Sequence, residues 1–127
     1  MITSLEPNQV FVFGSNLAGI HAGGAAKQAK EQFGAEEGIG EGLTGKCYAF
    51  PTLEGCFNYG CFVQRPRRDL ICSLAKFYAT ARALPDKQFL MTAVGTGIAG
   101  FPVEEMKSLF ANPPENVILP EDWQPIP

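Results

Sequence analysis

A chain of 127 residues fits one domain and is long enough to bury a real core. Its 46% hydrophobic and 18% charged content is that of a compact globular protein rather than a disordered one, and no apolar run approaches the roughly 18 residues of a membrane span. The formal net charge of −3, with the ten Lys and Arg spread along the chain except at Arg65, Arg67 and Arg68, excludes general nucleic-acid binding as a way of life.

The opening MITSLEP has neither a basic region nor a following apolar stretch, so no secretory signal is expected and a cytoplasmic location is. Val10 to Phe13 then form a short run of β-branched and aromatic residues that predicts a buried strand. Gly14-Ser15-Asn16 open a glycine-rich loop, and a helix is predicted from about Gly23 to Phe33, stopping near Gly34. Ala22, Ala25, Ala26, Ala29 and Phe33 share one face of it, and small residues there let a helix sit close to a sheet. A glycine loop that enters a helix offers converging backbone N–H groups with no Cβ in the way, which is an anion cradle. Asn16 adds an amide that both donates and accepts, which suits a ribose hydroxyl.

Glu36 to Gly45 carries four glycines in ten residues and is predicted to be a flexible surface connection. Cys47 to Pro51 predicts a strand ended by Pro51-Thr52, and Leu53 to Pro66 an irregular loop with a short strand near Phe62-Val63. Leu70, Ile71, Leu74, Phe77, Tyr78, Ala81 and Leu84 recur at three and four, which predicts an amphipathic helix from Arg67 to Leu84. Phe89 to Val94 predicts another buried strand. It runs into a second glycine loop, Gly95-Thr96-Gly97-Ile98-Ala99-Gly100-Phe101, and then a helix beginning at Pro102 and stopped by Asn112-Pro113-Pro114. Asn116 to Leu119 predicts a last strand, and Pro120 to Pro127 a tail whose Trp123 packs back on the domain.

Alternating strands and helices predict an α/β/α three-layer sandwich with a mostly parallel mixed sheet. Both glycine loops leave the C-terminal ends of strands, where such sheets bind ligands, so two loops about 80 residues apart are expected to meet in one cleft. The first loop is not a P-loop, because Ile20-His21 stands where Lys-Ser/Thr is required. The second matches Gly-x-Gly-x-x-Gly, yet only 27 residues follow Gly100, too few for the rest of a dinucleotide-binding domain. Cys47, Cys56, Cys61 and Cys72 contain no Cys-x-x-Cys pair and His21 is the sole histidine, so no metal is expected and the cysteines are expected to be free thiols. Arg65, Arg67 and Arg68, placed against the dipole at a helix start, are candidates for attracting a phosphate or a partner.

FGSNLAGIHAGGAA resembles the first ligand loop of macrodomains, and VGTGIAGFPVEEM resembles their second, in order and in chemistry. The resemblance covers most of the chain and is nearest the DNA ADP-ribosyl glycohydrolase type. It implies a cleft for ADP-ribose or a related nucleotide, free or on an ADP-ribosylated macromolecule, with no cofactor. By that similarity Asn16 bonds the distal ribose and Gly23 and Gly24 approach the ribose and phosphates, with Gly14, Ser15 and Gly19 also counted among the ligand-binding residues of the first loop. The same resemblance implies that Thr96, Gly97, Ile98 and Ala99 wrap the pyrophosphate, that Gly95 and Gly100 at either end of the loop also bind the ligand, and that Phe101 walls the ribose pocket.

The chain also departs from that pattern. No aspartate precedes Val10 to read an adenine amine, Ala26 stands near the place of one family aspartate, and Leu53 or Glu54 and Ala99 stand where the glycohydrolase type has lysine and aspartate. Two alternatives to plain nucleotide binding therefore stay open. One is an ADP-ribosyl glycohydrolase in which Asn16 places a water and His21 or Glu54 acts as acid/base. The other is a small interaction protein whose glycine loops are only turns. Outside such a role, His21 is expected in a surface turn.

Overall fold

The computed structural model describes residues 2–55 and 61–124. Within them the order of elements is β1 (Gln9–Asn16), α1 (Gly24–Phe33), β2 (Gly42–Thr44), β3 (Cys47–Gly55), β4 (Phe62–Gln64), α2 (Arg67–Ala83), β5 (Gln88–Met91), α3 (Val103–Leu109), β6 (Val117–Ile118) and a 3₁₀ turn (Glu121–Trp123). The six strands make one mixed sheet in the order β2-β3-β1-β5-β6, with β4 on the far end of β3. The four strands β3, β1, β5 and β6 run parallel, while β2 and β4 are antiparallel to β3.

Helices cover both faces. Val12, Tyr48, Phe50 and Phe89 point to one side and pack with Phe77 of α2 and with Met106 and Phe110 around α3. Phe11, Phe13 and Ala49 point to the other and pack under Ala26, Ala29 and Phe33 of α1. The small residues of α1 thus do what their spacing predicts, and Gly34, at φ 80°, closes that helix in the left-handed conformation. Trp123 folds back as expected, its ring 6.0 Å from that of Phe110.

Several predicted boundaries move, each for a reason in the pairing. β1 does not stop at Phe13, because Gly14, Ser15 and Asn16 go on pairing with Phe50, Pro51 and Leu53 of β3. β3 likewise runs through Pro51 to Gly55. Pro51 falls between the residues that β2 pairs (47–49) and those that β4 pairs (53–55), so its missing N–H costs no ladder bond on that flank. The supposed flexible connection contains β2, which pairs with the start of β3. β5 ends at Met91, three residues early, and there the Thr92 hydroxyl and N–H both turn back to the Val12 carbonyl at 2.9 and 3.1 Å.

On α2 the apolar stripe is interrupted. Ile71 is 48% exposed, while Ser73 is buried and accepts a 2.7 Å hydrogen bond from the Arg65 guanidinium. Cys61 is disulfide-bonded rather than a free thiol, whereas Cys47 and Cys72 are free. Cys56 and the last three residues of the tail lie outside the described residues. Among the described residues, no helix is long and apolar enough to cross a membrane.

Candidate functional site

Three neighbouring parallel strands reach the cleft side by side: β1 at its end, Gly14-Ser15-Asn16, β3 at Thr52-Leu53 before it runs on to pair with β4, and β5 through the turn Thr92-Ala93-Val94 that follows it. Together with the two glycine loops they enclose a cleft of about 450 Å³. The loops do face one another, since a Cβ built on Gly23 would stand 3.5 Å from Cδ1 of Ile98. Gly14, near the end of β1, comes close to the second loop as well. A Cβ on Gly14 would sit 3.2 Å from the backbone nitrogen of Gly95.

The lining is backbone, glycine, alanine, small hydroxyls and a few apolar side chains, and among the described residues no charged side chain takes part in it. Its donors are amides. α1 opens into the cleft at Gly24, where the first-turn N–H groups have no preceding turn to bond, and its Ncap, Gly23, has no side chain to cap them. In the second loop the amides of Thr96, Gly100 and Phe101 bond to Ala93, Gly97 and Gly95 carbonyls. Those of Gly97, Ile98 and Ala99 have no acceptor among the described residues. Two sets of unpaired amides therefore border one hollow, each at the end of a strand.

Asn16 lines the cleft and also clamps its own loop. Its Nδ2 donates to the Ile20 carbonyl at 2.9 Å and its Oδ1 accepts from the Ile20 N–H at 3.0 Å, which leaves a second N–H and a second lone pair for a ligand. The Ser15 hydroxyl is committed to the Gly40 carbonyl and that of Thr96 to the Ala93 carbonyl at 2.7 Å, so both residues border the cleft chiefly through their backbone. Gly14, Gly23, Gly24, Gly95, Gly97, Ile98 and Ala99 also line it. Ile98 is 83% exposed there, with Ile20 and Phe62 at the rim.

Three of the predicted ligand residues stand elsewhere. Gly19 packs against Gly38, and a Cβ on it would overlap that residue's backbone. Gly100 is a left-handed turn residue at φ 74° beside Gln64. Phe101 is buried in the core on the α2/α3 side of the sheet. Neither proposed acid/base lines the cleft either. Glu54 lies on β3 opposite Val63 of β4. His21 is not in a surface turn: it is 2% exposed, edge-on to Phe13 at 5.2 Å between ring centroids, with Nε2–H donating to the Glu36 carbonyl at 3.0 Å and Nδ1 buried without a partner. The arginines disperse as well. Arg65 bonds the Pro51 carbonyl and Ser73, Arg67 faces Glu105 at 3.9 Å, Arg68 faces Asp69 at 3.9 Å, and none of them lines the cleft.

No protein-family model, curated protein or solved structure matches this chain.

Thr52, Leu53, Phe62 and Thr92 line the cleft without standing out as ligand residues in the sequence. Thr52 and Thr92 carry a readable signal, because each follows an apolar strand that the parallel sheet sets beside β1. Phe62 carries none, since it reaches the cleft only through the pairing of β4 with the end of β3. A second hollow of about 750 Å³, bordered by Glu104, Lys107, Asn112 and Trp123, touches neither glycine loop. Among the described residues, no group of three or more His, Cys, Asp or Glu is placed to hold a metal ion.

Proposed function

We propose that the cleft binds ADP-ribose or a closely related nucleotide, free or attached to a macromolecule, in a macrodomain-like fold. The observation that carries this reading is the convergence of an uncapped helix N-terminus and a second glycine loop on one uncharged cleft. An anion in such a place is held by oriented amides and by the positive end of the helix dipole rather than by a counter-ion. A pyrophosphate esterified at both ends suits it, because each phosphate carries a single charge spread over oxygens that several N–H groups can share. In this reading the free N–H and lone pair of Asn16 bond a sugar hydroxyl beside the first loop, and the apolar rim at Ile20, Phe62 and Ile98 gives a base or ribose face something to lie against.

Binding is favoured over hydrolysis on the same grounds. Of the three candidates for acid/base or water-placing work only Asn16 lines the cleft, and an amide does not ionise. Titration calorimetry with ADP-ribose, NAD and mononucleotides tests the reading. Saturable heat with ADP-ribose, stronger than with a mononucleotide, is expected. No heat at millimolar ligand from a protein shown to be folded by circular dichroism would remove the nucleotide reading and leave the loops as turns.

A further inference from the structure

The segment from Glu36 to Glu41 contributes nothing to the cleft lining, yet it is joined to the first loop at Glu36, Glu37, Gly38 and Gly40. The Gly38 N–H donates to the Gly19 carbonyl at 2.9 Å, and the Ser15 hydroxyl donates to the Gly40 carbonyl. Gly19 and Gly40 are glycine for this reason, since a Cβ on either would overlap backbone of the opposite segment. The Glu36 carbonyl holds the His21 ring at 3.0 Å, while the Glu36 N–H is itself fixed by the Thr44 hydroxyl of β2 at 2.8 Å. Oε1 of Glu37 accepts the His21 backbone N–H at 2.9 Å and lies 3.2 Å from Nζ of Lys30 on α1. That hydrogen bond is the main cause holding the Glu37 carboxyl below its ordinary range.

His21 stands between Ile20 and Ala22, both of which line the cleft, and just before the amides that open α1. Apart from the Leu17 N–H, which donates to the Leu53 carbonyl of β3 at 3.0 Å, and the Asn16 clamp on Ile20, the loop has no strand pairing over 18–23. Whatever fixes its backbone therefore fixes where Ile20 and the first-turn amides point.

We propose that the 36–41 segment is a positioning layer for the ligand site and that Glu37 is its principal positioning residue, setting the first loop through the His21 N–H. The proposal rests on the nucleotide reading of the cleft for its ligand, but its geometry stands in the free protein. The role needs an acceptor at position 37 rather than a negative charge, so Glu37→Gln, which keeps a carbonyl oxygen there, should substitute where Glu37→Ala cannot.

Amide hydrogen exchange on the parent, Glu37→Ala and Glu37→Gln, paired with ADP-ribose titrations of the same three proteins, tests this. In Glu37→Ala, exchange at Ile20, His21 and Ala22 should quicken about five- to tenfold, as expected for losing one partly exposed hydrogen bond, with Val10 to Phe13 of β1 unchanged. The affinity for ADP-ribose should fall by a similar factor, and Glu37→Gln should restore both. Unchanged exchange in Glu37→Ala, an equal rise throughout β1, or a loosened loop that binds as tightly as the parent would each overturn the proposal. If the parent itself takes up no ADP-ribose, the nucleotide reading fails, while the exchange measurement still decides whether Glu37 sets the loop.

Discussion

Gly95 and Gly97 lie two residues apart in the second loop, and alanine at the two positions should move stability in opposite directions. At Gly95 the backbone is left-handed, φ 81°, which costs an L-residue roughly 1–2 kcal/mol. A Cβ there would also sit 2.8 Å from Cε of Met106 and 3.3 Å from both Cδ2 of Phe101 and Cγ2 of Thr52. The Met106 methyl can swing aside but the buried Phe101 ring has little room, so crowding adds about 1 kcal/mol, the low end for overpacking. Gly95→Ala should therefore lose about 2–3 kcal/mol. At Gly97 φ is not positive and nothing stands within 4 Å of a built Cβ. Gly97→Ala should gain about 0.4–1 kcal/mol by narrowing the unfolded ensemble. Urea denaturation followed through Trp123, the single tryptophan and a buried one, reads both. Shifts of the same sign, or a Gly95→Ala protein within about 0.5 kcal/mol of the parent, the ordinary scatter of a harmless surface change, would refute the reasoning.

Larger side chains at the open positions should act on the ligand and spare the fold. Gly97→Val and Gly23→Val are expected to lower ADP-ribose affinity at least tenfold, roughly 1.4 kcal/mol, with parental circular dichroism, although Gly23→Val should also cost about 1 kcal/mol because valine is a poorer Ncap than glycine. Asn116→Ala should cost about 1–3 kcal/mol in the same denaturation assay, because Nδ2 of Asn116 donates to the Ala81, Leu84 and Lys87 carbonyls and closes the C-terminal end of α2. Burial pushes the Tyr48 phenol from 10.0 to about 12, so the neutral form is the one the fold favours. That contribution is complete below pH 10 and is lost as the pH rises through 12, and Tyr48→Phe should flatten the alkaline fall in stability over this window in a pH series of urea midpoints.

Much of this was legible in the sequence where one physical cause dominates. The helix of small residues, its stop at Gly34, the two glycine loops and their meeting at the ends of parallel strands all follow from local pattern and from the handed packing of α/β layers. The failures cluster where tertiary pairing overrides local signals. Pro51 looks like a strand end, but β3 is unpaired on one flank there. Glu36 to Gly45 looks flexible because it is rich in glycine, yet Gly40, with Gly19 on the facing loop, allows it to lie against the first loop at backbone distance. His21 looks like a surface turn residue, and it is buried because Phe13 and the Glu36 carbonyl are waiting for it. Such contacts join residues about 8 to 25 positions apart with no periodic signature, so nothing in a single sequence announces them.

The most direct test of nucleotide binding by the two loops is the pattern of backbone amide shifts when ADP-ribose is titrated into isotope-labelled protein. The largest changes should fall on Gly24, Ala25 and Ala26 at the start of α1 and on Gly97, Ile98 and Ala99 in the second loop, with Lys107 to Trp123 unmoved. Saturating ligand that shifts neither set, or shifts only residues around the hollow beside α3, would contradict the account.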